Sequence, residues 1–270
     1  MLDLVPDTVM DRYLNSTQTA HDRQDHITRS ILQFVKMYSA HFQQEGGFIV
    51  DAYAQRALMY GVPRSVEVMS SLLLAPGRFA ARCSVCGATG EQSILTFNLQ
   101  LEERLQAAYR GAQVAAFWVL QSITGEPVHP PDVLITEPDP QYPPEAVALS
   151  QLRALRHGNA AACFLHASPE NKAAVGPLQR FSAMLRSLPQ FAPLLAHETD
   201  GAHCPRLVAV EQLSSSSVDI DIAVLPSTPE MRAQFSNQRI VFRWSMKLQP
   251  GPQHKNCWMT DAVRLHRLQS

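Results

Sequence analysis

"SVDIDIAVL", residues 217–225, is the stretch on which the fold turns. In an extended chain Val218, Ile220, Ile222 and Val224 fall on one side, Asp219 and Asp221 on the other. A period of two with one polar face predicts a strand of an antiparallel sheet that water wets on one side. "RIVFRWSMKL", residues 239–248, repeats the pattern. Ile240, Phe242, Trp244, Met246 and Leu248 face inward; Arg239, Arg243 and Lys247 face outward. "RLVAVEQL" at 206–213 supplies a third strand, and the serines at 214–217 a turn between strands.

Upstream the period changes. Over 20–43, Ile27, Ile31, Phe34, Val35, Tyr38 and Phe42 recur at three and four residues, the apolar stripe of a helix that Gly46-Gly47 ends. Residues 48–60 read as a second helix stopped by Gly61. Residues 63–75 read as a third, opened by Pro63 with Val66, Met69 and Leu73 inward. Residues 93–122 read as a central helix along Phe97, Leu101, Leu105, Ala108, Ala112 and Ala115. Gly111 inside it would cost about 1 kcal/mol relative to alanine.

Seven of the 19 prolines then fall in residues 124–145, a linker with at most a short strand at 133–135. Beyond it, 145–157 reads as a helix, "AACFLHA" at 161–167 as a short buried strand, and Leu178, Phe181, Leu185 and Leu188 as one side of another helix. Helices first and strands later predict an α+β protein. Its parts are an N-terminal helical module over 1–123, a proline-rich linker over 124–145, and an α+β region over 146–270 whose antiparallel sheet has flanking helices.

The 270 residues suffice for a buried core. Hydrophobic residues make up 46%, but charged residues only 17%, against a usual value of about 25%. Low charge fits a surface covered by partners, since interface cores are depleted of charge; Gln, Ser, Thr and His supplying the polarity is the plainer reading. The net charge of −1 gives no global field for nucleic acid. Lysine occurs only at positions 36, 172, 247 and 255, so positive charge is mostly arginine. Arginine suits bidentate contacts, although base composition of a genome produces the same bias. The N-terminal residues lack the basic and apolar regions of a signal peptide, and no run is long enough for a membrane span. Five cysteines, an odd number, argue against a disulfide framework. The expectation is an intracellular protein of a reducing compartment, without a membrane partner.

"ARCSVCGATGEQ", residues 81–92, resembles half of a zinc ribbon: Cys83 and Cys86 with glycines at 87 and 90. Zinc wants four N or S ligands, and one C-x-x-C supplies two. The completing pairs on offer are Cys163 with His166, His203 with Cys204, and His254 with Cys257, all more than 70 residues away. On a strand Cys163 and His166 would point to opposite faces. The plain alternative is a pair of reduced thiols in a turn. A redox role is disfavoured because no βαβ setting surrounds the pair.

Asp219 and Asp221 form a D-x-D on one strand face, a carboxylate pair some metal-dependent transferases use, but no phosphate-cradling glycine loop accompanies them. Their alternative role is cross-strand pairing with Arg239, Arg243 or Lys247. His21 and His26, beside Asp22 and Asp25, suit a helix start as well as catalysis. Nucleic-acid contact has one local candidate surface: Arg239, Arg243, Lys247, Lys255, Arg264 and Arg267, with Trp258 among them.

No residue set takes a named catalytic role. The leading expectation is a non-catalytic subunit of a larger assembly, bound to other protein subunits through Phe117, Trp118 and Trp258. The alternatives are a ribonucleoprotein or DNA-recognition subunit with a zinc knuckle, and a metal-dependent enzyme assembled from distant residues.

Overall fold

The computed structural model describes residues 49–108, 111–128, 133–195, 205–226 and 238–269, with Pro229, Ala233 and Phe235; 106–108, 111–113 and 267–269 are described by backbone alone. The helix expected over 20–43 lies outside the described residues, as do His21, His26, His203 and Cys204. The chain divides into two compact units, Met1–Val128 and His129–Ser270.

The described part of the first unit is a five-stranded mixed sheet. Its strands are β1 (Ile49–Val50), β2 (Ser65–Ala75), β3 (Arg78–Cys86), β4 (Gln92–Ala108) and β5 (Gly111–Pro127). They lie in the order β1-β5-β4-β3-β2; β1 runs parallel to β5 and the other pairs are antiparallel. One short helical stretch, α1 (Ala52–Ala54) running into a π-helical turn at Gln55–Met59, supplies Tyr53, Ala54, Ala57 and Leu58 to the core against the sheet. Over residues 49–123 this overturns the expected helical module.

The physical reason lies in the spacings. Phe97, Leu101 and Leu105 recur every four residues, a spacing that fits a helix and, equally, every second pair of a strand. What decides is the run between them: Ser93, Leu95, Phe97 and Leu99 are buried, while Gln92, Ile94, Thr96 and Asn98 alternate on the other face. Gly111 does not interrupt a helix. It pairs with Ala108 and opens β5 after a two-residue connection.

In β2 the helix-like spacing of Val66, Met69 and Leu73 is made by bulges. The register slips between Val68 and Ser70 and again between Leu73 and Ala75. Each extra residue shifts the alternation by one, so partners of the buried β3 positions are Val66, Val68, Ser71 and Leu73.

Gly125 fixes the approach of α1 to the sheet, because a Cβ there would overlap Tyr53. Its N–H donates to Asp51 Oδ2 at 2.5 Å, and Asp51 Oδ1 caps α1 at Ala54 N. Each fully buried Phe or Leu of this face contributes about 1.5–3 kcal/mol.

The second unit stacks helices on one face of a four-stranded antiparallel sheet: β6 (Arg206–Ser214), β7 (Ser217–Val224), β8 (Arg239–Leu248) and β9 (Trp258–Gln269), in that order. The helices are α2 (Pro144–Arg156), α3 (Ala160–Leu165), α4 (Pro169–Val175), α5 (Leu178–Ser187) and α6 (Ala192–Leu195). From the sheet Val218, Ile220, Ile222, Ile240, Phe242 and Trp244 enter the core; α2 meets them with Val147, Ala148, Leu152 and Leu155.

Of the residues expected as a buried strand at 161–167, 161–165 form α3 instead and Ala167 makes only an isolated bridge to Thr260. Asn159 Oδ1 accepts from Ala162 N and starts the helix, and three alanines at 160–162 favour it. No strand forms at 133–135; Ile135 is buried in the core, its N–H donating to Ser150 Oγ at 2.8 Å. Residues 124–127 of the expected linker belong to β5.

Candidate functional site

Cys83 and Cys86 lie in β3, not on a free turn. Three residues apart on a strand, they point to opposite faces. Cys83 is wholly buried in the first core, and burial pushes its thiol up to about 12; Cys86 is half-buried and lies near Gly87 O and Gly90 O. Gly90 has a positive φ and closes the β3–β4 connection, its N–H donating to Gly87 O at 3.0 Å. The structure therefore does not bring the two thiols to one point. Among the described residues, no three His, Cys, Asp or Glu side chains converge into a metal-sized cluster.

Because 160–165 is helical, Cys163 and His166 share one side of the chain there, not opposite faces. Both are buried, and burial lifts the Cys163 thiol to about 12. His166 sits at a seam where the helices join β9. Thr260 N donates to His166 O and Ser168 N to Thr260 O, each at 2.8 Å. The Thr260 hydroxyl donates to Gln151 Oε1, whose amide donates to Cys163 O. Ser168 Oγ donates to Asp261 Oδ1, and Asp261 pairs with Lys247 at 2.7 Å. Cys257, on the loop before β9, is also buried, and burial first, then Asp139, raises its thiol.

The His166 ring faces Ile135 O with Nε2 at 3.1 Å, which assigns the proton to Nε2; Nδ1 is buried with no hydrogen-bond partner among the described residues. Burial holds the imidazole below its usual 6.5 against the opposing pull of the Ile135 carbonyl, with Lys172 and His254 lowering it further. The unfolded chain therefore binds the proton first. Stability contributed by neutral His166 is complete above about pH 6.5 and is lost as the pH falls toward the depressed folded value. Urea midpoints measured from pH 8 to pH 5 should fall at the acid end, and in His166→Leu that fall should be shallower. An unchanged acid slope would mean that another group carries it.

The basic face of the second sheet is largely occupied. Arg243 forms a fork with Asp221, Nε to Oδ1 at 2.7 Å and Nη2 to Oδ2 at 3.0 Å, with Asp219 at 3.5 Å and Glu211 at 4.0 Å. The Asp221 fork raises the Arg243 pKa further. His266 Nε2 lies 3.8 Å from Asp221. Lys247 is held by Asp261, and Arg264 reaches Ser245 Oγ at 3.3 Å. Arg239 and Lys255 are exposed, whereas the Arg267 side chain lies outside the described residues. The D-x-D of Asp219 and Asp221 thus serves a cross-strand ion pair.

Trp258 is in the second core, Phe117 is buried, and Trp118 is half-buried edge-to-face against Phe79 at 6.1 Å. Exposed aliphatic side chains gather elsewhere. Edge strand β2 presents Met69, Leu72, Leu73 and Leu74, each 53–60% exposed. Beyond Gln100, where β3 ends, β4 and β5 continue as a two-stranded ribbon on which Leu105 and Val114 pair, at 76% and 64% exposure. Sequence spacing hid both features, because it folded them into helix stripes.

The geometry defines an α+β protein with an N-terminal mixed five-stranded sheet, a central helical segment and a C-terminal four-stranded antiparallel sheet. No protein-family model matches the chain, and no curated protein or solved structure matches it. Among the described residues no helix is long and apolar enough to cross a membrane.

Proposed function

We propose that this chain is a non-catalytic subunit of a larger assembly and acts through protein–protein contacts. The observation that carries the reading is the apolar edge of the first sheet. Exposed leucines scattered singly are ordinary, but Met69, Leu72, Leu73 and Leu74 are near-consecutive on an edge strand of 11 residues. Among the described residues no further strand pairs with its outer edge, and it offers apolar contacts there. Glu67 is its sole charge, and it contains no lysine or proline to guard it. The two bulges limit continuous backbone pairing, so side chains carry most of the contact. Arg243 and Lys247, bound to carboxylates of their own sheet, lend less support to a nucleic-acid role.

Light scattering behind gel filtration tests this. The wild-type chain should run above monomer mass alone or with its partner, and Leu72→Asp/Leu74→Asp should shift it to monomer without loss of circular dichroism. A wild-type chain that stays a monodisperse monomer at high concentration and retains no partner overturns the reading.

A further inference from the structure

In the second unit a cavity of about 130 Å³ opens between the end of α2, the start of α3, and helices α5 and α6. Leu155, Leu185 and Leu195 line it with Ala160, and Ser182 and Arg186, one helical turn apart on α5, line it too. Gly158, also in the lining, leaves its surroundings open: a Cβ there would meet nothing within 4 Å. A cavity of roughly this size accepts a group about as large as benzene, so one leucine or phenyl side chain fits.

The charge around it is one-sided. Helices α2 to α6, residues 144–195, carry Arg153, Arg156, Lys172, Arg180 and Arg186 against two acids, Glu145 and Glu170, in a chain whose net charge is −1. Arg186 is exposed, and among the described residues no carboxylate lies within ion-pair distance of it. An arginine fork beside an apolar slot favours a carboxylate next to an apolar group.

We infer that this cavity is a docking site for an acidic segment of a partner protein, which inserts one leucine-sized side chain among Leu155, Leu185 and Leu195 and sets a carboxylate on Arg186. This rests on the assembly reading and names the chemistry of one partner. A single buried anchor ringed by weaker polar contacts is how most binding energy is concentrated in such interfaces. The attraction of the basic helices adds a salt-dependent part.

The test uses the full chain and a fluorescent library of acidic peptides, each with one central Leu, Ile or Phe. Members of the library should bind saturably. Replacing the central residue with serine, or the acids with lysine, should weaken binding at least tenfold, and so should raising the salt. Arg186→Glu should weaken it at least tenfold, and Arg186→Lys less. Ser182→Phe, which fills the cavity, should do the same as Arg186→Glu with circular dichroism unchanged. Absence of saturable binding across the library, or binding that survives both Arg186→Glu and Ser182→Phe, overturns the site. Arg186→Glu should leave the self-association or partner retention governed by β2 intact, so the two ideas fail separately.

Discussion

Glu91→Ala is expected to destabilise the first unit by about 3–5 kcal/mol, because it removes the carboxylate that pairs with a buried guanidinium. Arg56 Nε lies 2.9 Å and 3.1 Å from the two oxygens of Glu91. The side chains are 3% and 5% exposed, so bulk solvent screens the pair little. The pair ties the π-helical turn to the residue just before β4, and Arg56 also stands over the Tyr53 ring at 5.0 Å. Arg56→Met/Glu91→Leu should recover much of the loss, since removing both charges also removes the desolvation penalty. Chemical denaturation of the single and double variants measures both. A loss below about 1 kcal/mol in Glu91→Ala, the range of an exposed pair, would show that the pair is hydrated in solution.

Trp244→Ala should cost a comparable amount in the second unit, about 3–5 kcal/mol, by opening a large cavity. Trp244 is completely buried at the centre of β8, edge-to-face with Phe242 at 6.4 Å. Its indole N–H has no hydrogen-bond partner among the described residues. Trp244→Phe should therefore cost distinctly less than Trp244→Ala, because it removes volume but no hydrogen bond, and it relieves an unsatisfied donor. Thermal melts of the two variants give the ranking. An equal loss in both would point to a bound water or other acceptor on the indole nitrogen.

Legibility in the sequence differed between the two halves for a definite reason. At 217–224 and 239–248 the core face is aliphatic or aromatic at every second position and the other face carries Asp219, Asp221, Arg239, Arg243 and Lys247, so only one period fits. The structure places β7 and β8 there. At 93–108 the outward face of β4 holds Ile94 and Thr96, neither charged, and the recurrence of Phe97, Leu101 and Leu105 suits either period. In β2 the bulges at Met69 and Leu74 erased the alternation altogether. The "AACFLHA" stretch failed in the opposite sense. Six apolar residues with only His166 as contrast have no readable period, and the Asn159 cap that decides for helix lies outside the window.

The same contrast governs the candidate sites. The sequence put Cys83 and Cys86 side by side, but only the strand geometry of β3 turns them to opposite faces. It offered Arg239, Arg243 and Lys247 as one basic stripe, and it could also state that Asp219 and Asp221 were potential partners. The β7–β8 register, Asp221 opposite Arg243, made that pairing real. Arg186 carried no signal in sequence, because its significance depends on Leu155, Leu185 and Leu195 converging from three different helices.

By itself, then, the sequence determined what depends on neighbours a few residues apart: the alternating strands of the C-terminal sheet, the helices at 144–156 and 178–187, and the low charge. Tertiary structure decided what depends on long-range pairing. It made the N-terminal region a sheet, because β4 and β5 satisfy each other's backbone over a register from Ser93–Pro127 to Ala108–Gly111, and hydrogen bonds between strands leave no periodic trace in either strand alone. It also decided which apolar residues stay exposed, since an edge becomes an edge only when the last strand has no neighbour.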